Sequence, residues 1–378
     1  MSQLFYTEAH DHFRRSIRAF VEKEIEPYIE AWEEAESFPI ELYRKAADVG
    51  LLGIGFPEAY GGVEADLFYG WVATEELCRA GSGGLMAGLL SHTIGAPPIA
   101  NIGSDELKSR VLPGILSGEK ISCLAITEPT GGSDVANLQT TARREGDHYI
   151  VNGAKTFITS GIRADYYTVA VRTGGEGIGG ISLLLMEKDT PGFTKESIKK
   201  MGWWCSDTAT LYFEDCKVPA HNLIGEENEG FMGIMLNFNS ERVFLAGQAL
   251  GLAKTCLHEA TEWAKERQTF GKSLIHRQVI RHKLADMQMR ILATEAFLEK
   301  TIWKVEEGLM PVTDVCLLKN QATQTLEFCA KEAVQILGGM GYSRGTKVER
   351  IYRETKVLSI GGGAEEIMKE LAVKQMGL

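Results

Sequence analysis

The chain lacks the residue patterns that mark several protein classes. Its seven cysteines (Cys78, Cys123, Cys205, Cys216, Cys256, Cys316 and Cys329) are scattered, odd in number and never spaced as CxxC. Such spacing supports neither a zinc site nor a disulfide frame, and free thiols in a reducing compartment are expected. The eight histidines are equally dispersed, without metal-ligand spacing. No uninterrupted apolar run approaches a membrane-spanning length. The first residues, Met1-Ser2-Gln3-Leu4-Phe5-Tyr6-Thr7-Glu8, have no basic n-region, no apolar core and no Arg-rich amphipathic pattern. A cytoplasmic protein is the expectation, with a mature organellar protein as the alternative. Basic excess is missing too. A formal net charge of -11 argues against nucleic acid or an anionic membrane as main partner. It leaves room for a local phosphate-binding site, which needs only a few donors.

What is present is a soluble-type composition, 44% apolar and 24% charged over 378 residues, enough for two or three packed domains. Three regions follow one another. Residues 1–118 read as a helical domain: Phe13, Ile17, Phe20 and Val21 recur at helical steps, and Gly50, Pro57, Gly61-Gly62, Pro97-Pro98 and Pro113-Gly114 act as breakers. Residues 119–227 change to short strands. Tyr149–Thr159 is β-branched and aromatic around Asn152-Gly153, a hairpin signal, and Tyr166–Val171, Ile181–Met186 and Thr210–Phe213 read as further strands. A small barrel-like or sandwich domain is implied. Residues 228–378 return to long amphipathic helices, with stripes at Val243–Ala264, Leu284–Leu298, Val312–Leu337 and Ala364–Met376. These four read as a bundle. The fold class is thus multidomain α+β and mainly α.

Four segments stand out, and each has an ordinary reading when taken alone. Ala125-Ile126-Thr127-Glu128-Pro129-Thr130-Gly131-Gly132-Ser133-Asp134 is a glycine turn with hydroxyl donors, and matches neither a P-loop nor a dinucleotide fingerprint. Phe157-Ile158-Thr159-Ser160-Gly161 offers an aromatic ring and a hydroxyl, though it reads more simply as strand core. Glu266-Arg267-Gln268-Thr269-Phe270-Gly271 resembles a helix C-cap, and Gln335-Ile336-Leu337-Gly338-Gly339-Met340-Gly341-Tyr342 a glycine-rich helix stop.

In this order, together with Pro57-Glu58-Ala59-Tyr60-Gly61-Gly62, Cys205-Ser206-Asp207-Thr208 and Phe213-Glu214-Asp215-Cys216-Lys217-Val218-Pro219, the segments resemble the acyl-CoA dehydrogenases along nearly the whole chain. That family has an N-terminal helical domain, a middle β-domain and a C-terminal four-helix bundle, the order read here from periodicity. The resemblance implies FAD, an acyl-CoA substrate, electron-transfer flavoprotein as acceptor and a homo-oligomer, usually a tetramer. Leu124, Ile126, Thr127, Gly132 and Ser133 would lie on the loop that contacts flavin and substrate. Phe157 would pack on the isoalloxazine and Thr159 would donate toward its N5. Arg267, Thr269, Phe270 and Gln278, with Gln335, Gly338 and Gly339, would reach the adenosine diphosphate part of a cofactor in a neighbouring subunit.

One carboxylate is missing from the usual place. Ile360-Gly361-Gly362-Gly363-Ala364-Glu365-Glu366-Ile367 resembles the segment where most of the family carry their catalytic glutamate, and the matching position is Gly362. Ser240-Glu241-Arg242 instead resembles the site used by a minority, the isovaleryl-CoA and long-chain types. Glu241 is the expected base for the α-proton, with Arg242 beside it. Gly362 N–H and the ribityl 2′-hydroxyl would hold the thioester oxygen. Glu365 and Glu366 are rivals for the base, with helix capping as their plain explanation. Gly361 stands where straight-chain enzymes carry tyrosine. That gap points to a 3-methyl-branched acyl group, while the tail resembles the long-chain type; Arg242 and Ser133 would also lie near the substrate. Ala364 replaces a usual threonine near the flavin. A flavin oxidase or monooxygenase on the same fold, and a non-catalytic acyl-CoA-binding flavoprotein, are the alternatives.

Overall fold

Helices open and close the chain, with strands between them. The structure, a computed structural model, describes residues 5–378, with positions 236 and 237 described by backbone only. The first helices are α1 (Glu8–Glu24), α2 (Ile29–Glu34), α3 (Glu41–Asp48), α4 (Leu67–Cys78), α5 (Gly83–Leu89), α6 (His92–Gly95), α7 (Pro97–Ile102) and α8 (Asp105–Leu116). The strands are β1 (Ser122–Ala125), β2 (Thr141–Glu145), β3 (His148–Thr159), β4 (Tyr166–Arg172), β5 (Ile181–Glu187), β6 (Phe193–Ser197), β7 (Thr208–Pro219) and β8 (Leu223–Ile224). Then come α9 (Gly230–Glu266), a small hairpin of β9 (Gln268–Thr269) and β10 (Lys272–Ser273), α10 (Gln278–Glu306), α11 (Val312–Leu337), α12 (Gly339–Tyr342), α13 (Lys347–Ile360) and α14 (Glu365–Gln375). The chain is thus helical, then sheet, then helical, as its patterning implies.

These elements form two compact units. One comprises the residues up to Ala31, Asp66–Gly84 and Asn239–Leu378. Two of its helices start where a side chain satisfies orphan amides. Asp66 caps α4 by accepting from Phe68 N at 2.9 Å and Tyr69 N at 3.2 Å, and Thr346 caps α13. The predicted stripes face inward: Ile17, Phe20 and Val21 on α1, Ala246, Leu250 and Ala253 on α9, and Met287, Ile291 and Leu298 on α10 are buried. α13 is an element that periodicity missed. Its buried face includes Arg350 and Glu354, whose polarity hides the stripe. Arg350 donates to Ala80 O at 3.1 Å, and Glu354 accepts from Gly83 N at 2.8 Å, so both are satisfied by the chain after α4.

The other unit comprises Trp32–Ala65 and Leu85–Phe238. Its sheet runs β6-β7-β3-β2-β4-β5-β8, with β1 parallel to β4. A core of Ile99, Val111, Leu112, Ile115, Leu183, Leu185 and Ile234 packs the helices and the first turns of α9 onto strands. Two local readings are corrected. Asn152-Gly153 is no turn: β3 runs straight through it. The hairpin between β2 and β3 turns instead at Gly146-Asp147, with Glu145 opposite His148. Gly153 sits at a bulge against β7, where an added Cβ would lie 2.7 Å from Thr140 Cα, so close approach and not a turn demands glycine there. Pro113 does not break α8, which continues to Leu116.

Candidate active site

Glu241 lies on α9 and faces the glycine turn that joins α13 to α14. Gly362 and Gly363 both adopt left-handed backbone, at φ +65° and +105°. The turn is clamped through its carbonyls. Arg242 Nε donates to Gly362 O at 3.2 Å, Lys319 Nζ to Gly363 O at 2.5 Å, and Asn320 Nδ2 to Glu365 O at 2.9 Å. The Gly362 N–H meets no backbone acceptor among the described residues. A Cβ built at position 362 would stand 3.7 Å from Glu241 Oε1, 3.8 Å from Lys319 Cε and 2.4 Å from Leu245 Cδ1. The glutamate on α9 therefore reaches the space beside a position that has no side chain of its own.

The electrostatics single out Glu241. The residue is half-buried, but its Oε2 is closed off from solvent and has no hydrogen-bond partner. Burial pushes its carboxyl up from 4.5 to about 7, against the pull of Arg242 and Lys319. Lys319, wholly buried on α11, is pulled down from 10.5 to about 8 by burial and then by the Arg242 charge. The rivals are different. Glu365 accepts from Lys369 Nζ at 2.8 Å, and that hydrogen bond leads the causes that hold its carboxyl below 4.5. Glu366 is exposed at the start of α14. A buried, unpartnered carboxyl titrating near neutrality is the group suited to accept a proton. Gly361 ends α13 with an exposed backbone, and a Cβ there would meet only Val357 O at 3.3 Å. Ala364 caps α14 without a side-chain bond.

In the sheet unit the loop after β1 is held from beneath by two residues that the sequence reading passed over. Glu128 is 5% exposed and accepts from Thr140 N at 2.8 Å, Gln139 N at 2.6 Å and Lys155 Nζ at 2.8 Å. Lys155, wholly buried on β3, also donates to Ile126 O at 3.0 Å. Burial lowers the Lys155 ammonium to about 8 against the attraction of Glu128. This pair fixes the loop from both ends of its turn. Ile126 is buried, Leu124 and Thr127 are half-buried, and Gly132 and Ser133 are exposed. Thr127 O also accepts from Thr156 N at 2.8 Å, tying the loop to β3.

Phe157 is not strand core. The register of β3 against β7 slips between Lys155 and Ile158, and Phe157 at that slip has φ +59° and is 67% exposed. A left-handed, outward-facing phenylalanine is a strained arrangement of the kind kept for ligands. Thr159, half-buried, follows on the same strand opposite Thr208. In the helical unit, α9 stops at Glu266, and Phe270-Gly271, both with positive φ, turn the β9–β10 hairpin in place of a simple C-cap. Phe270 is 96% exposed, under the Arg277 guanidinium at 5.7 Å. Thr269 O accepts from Arg277 Nη2 at 2.6 Å, while Arg267 and Gln278 are exposed. Gln335, Gly338 and Gly339 are exposed where α11 ends, and no atom lies within 4 Å of a Cβ built at either glycine.

Comparison with known proteins accounts for nearly the whole length. Residues 7–119 match the family model described as acyl-CoA dehydrogenase, N-terminal domain, residues 123–216 the middle domain and residues 228–377 the C-terminal domain. A crystal structure of a probable acyl CoA dehydrogenase from Mycobacterium abscessus superposes with TM-score 0.97 at 47% identity, covering 99% of this chain and 100% of that one. Acyl-CoA dehydrogenase AFT10-1 of Alternaria alternata is 38% identical, over 98% of this chain and 92% of its own. The mitochondrial long-chain specific acyl-CoA dehydrogenase of Rattus norvegicus is 36% identical, over 98% and 87%.

Proposed function

Since the chain belongs to the acyl-CoA dehydrogenase family, an FAD-dependent oxidoreductase acting on acyl-CoA, we propose that Glu241 is its base and that its substrate is a 3-methyl-branched or medium- to long-chain thioester. The observation that carries this reading is the Glu241 carboxyl beside the bare Gly362, its Oε2 closed off from solvent and without a hydrogen-bond partner.

The reaction removes two hydrogens from adjacent carbons to give the trans-2-enoyl product. FAD, when bound, supplies acceptance of the β-hydrogen as hydride. The chain supplies the rest. Glu241, deprotonated above about pH 7, takes the α-proton. That proton is too weakly acidic for a carboxylate in water, so the thioester oxygen needs fixed donors as charge develops. The unpartnered Gly362 N–H is offered for this, its turn held by Arg242 and Lys319. Exclusion of water by the acyl chain strengthens both effects.

The residues fit the cofactor. Phe157 and Phe270 are exposed aromatic rings, and Gly338 and Gly339 leave room for a ligand to approach backbone. The loop 124–133 and Thr159 are assigned to the flavin, and Arg267, Thr269, Gln278 and Gln335 to its phosphates and adenosine. An outward Phe270 at 96% exposure supports a homo-oligomer in which it is covered. Electron-transfer flavoprotein as acceptor, cytoplasmic location and domain limits at 118/119 and 227/228 rest on the resemblance and sequence pattern. Branching at carbon three is favoured by the missing side chain at Gly361, where a Cβ would meet only Val357 O, at 3.3 Å. The likeness to a long-chain enzyme supports a longer acyl group.

Anaerobic titration of the holoprotein with branched and straight acyl-CoAs, followed by flavin absorbance, tests the proposal. Selective bleaching by 3-methyl-branched thioesters is expected. Equal bleaching by straight chains overturns the branched preference, and absence of bleaching by every acyl-CoA overturns the enzyme reading of this site.

A further inference from the structure

Lys319 is costly where it stands. It is wholly buried on α11, on the same helical face as Val315, Ala322 and Leu326. An ammonium taken out of water costs several kcal/mol unless other groups compensate. Anchoring a carbonyl does not require that charge. The next residue shows as much: Asn320, also buried, holds Glu365 O at 2.9 Å with a neutral amide. Lys319 does the same for Gly363 O with a cation. The charge therefore calls for a second explanation.

The groups facing it supply one. Glu241 and Arg242 face Lys319 from α9, Cys316 from its own helix and Glu365 from the start of α14. Lys319 Cε and Glu241 Oε1 flank the same position, at 3.8 Å and 3.7 Å from a Cβ built on Gly362, where Leu245 Cδ1 packs against the bare glycine. They influence each other through space and not through a hydrogen bond. Glu365 is already bonded to Lys369. The carboxylate left for Lys319 is Glu241.

We propose that Lys319 is a positioning residue for Glu241: fixed on the Gly363 carbonyl, its ammonium keeps the buried carboxylate ionised and ready to accept a proton. The inference rests on Glu241 being the base. Burial alone disfavours the carboxylate, and a cation within about 4–6 Å offsets this by about 1–3 pH units. Without the Lys319 charge, Glu241 holds its proton to higher pH and the resting enzyme carries a spent base.

The test uses the FAD-loaded enzyme and the pH dependence of the rate of flavin bleaching by acyl-CoA. Lys319→Gln keeps a donor for Gly363 O and removes the charge. The acid limb is expected to move up by about one unit or more, so that the rate near neutrality falls about tenfold and recovers at high pH. Lys319→Arg keeps the charge and is expected to keep the limb of the wild type. An unmoved limb in Lys319→Gln, or an equal loss at every pH, overturns the proposal. Glu241→Gln is assayed alongside. If it still turns over, the base assignment itself has failed, whereas an inactive Glu241→Gln with an unmoved Lys319→Gln limb sinks only the role of Lys319. Should Lys319→Gln not retain FAD, the double variant Glu241→Gln/Lys319→Gln decides. It folds and binds FAD if the lysine charge serves Glu241, and fails like the single variant if Lys319 is needed as scaffold.

Discussion

Replacing Glu241 by glutamine should remove turnover and at the same time stabilise the fold, by an amount that depends on pH. The glutamine closely matches the protonated glutamate in shape, so the comparison isolates the cost of the buried charge. In the folded protein this carboxyl titrates at about 7 in place of 4.5, so unfolding releases a proton between those values. Stability of the wild type therefore falls as pH rises through that window. Below about pH 4.5 both states are protonated and the variant gains nothing. Near pH 5.5 the gain is about 1 kcal/mol, and above pH 7 it reaches about 3 kcal/mol. The pull of Arg242 and Lys319 is already contained in that figure, since it acts on the same titration. For a chain of this size about 3 kcal/mol corresponds to a rise of about 4 °C in unfolding midpoint. Thermal unfolding of the FAD-loaded wild type and variant at mildly acid and mildly alkaline pH measures it. Equal midpoints at alkaline pH, or a variant less stable there, would refute the argument that Glu241 is held at a burial cost for function.

Other positions carry consequences of their own. Gly362→Ala sets a Cβ at 2.4 Å from Leu245 Cδ1 on a φ of +65°, and should cost about 1–3 kcal/mol in denaturant unfolding and slow bleaching; unchanged stability contradicts the close packing of the turn. Lys155→Met leaves Glu128 buried without its cation and should cost about 3–5 kcal/mol, with FAD content falling, while Lys155→Met/Glu128→Leu recovers part of it in the same assays. Phe157→Gly relieves a left-handed phenylalanine, so unfolding should be unaffected or slightly harder while FAD affinity of the apoprotein drops about tenfold; affinity equal to wild type would remove the ring from the flavin site.

Much of this architecture was legible in the letters, for physical reasons. α11 runs Val312–Leu337, the limits its apolar stripe implies, because a long helix with one buried face repeats its signal many times. α13 stayed hidden because Arg350 and Glu354 occupy its inner face and are satisfied by backbone groups far away in sequence. Asn152-Gly153 misled because the same dipeptide serves a turn or a bulge, and only the neighbour at Thr140 decides which. At the proposed site, Glu241 and Gly362 are named by a resemblance, whereas Lys319, Lys155 and Glu128 are not. For Lys319 a signal existed: a lysine four residues after Val315 and three before Ala322 lies on an apolar face. For Lys155 and Glu128 there was none, since their pairing joins the loop after β1 to β3, from residue 128 to residue 155, and no local pattern reports it.

In the proposed reaction the proton acceptor is Glu241 on α9. Anaerobic mixing of acyl-CoA with FAD-loaded wild type and Glu241→Gln, each followed by flavin absorbance and by equilibrium binding of the same thioester, tests it most directly. Both proteins are expected to bind the thioester and only the wild type to bleach, with a rate rising through a pH of about 7. Bleaching of the glutamine variant at a rate comparable to the wild type would contradict it.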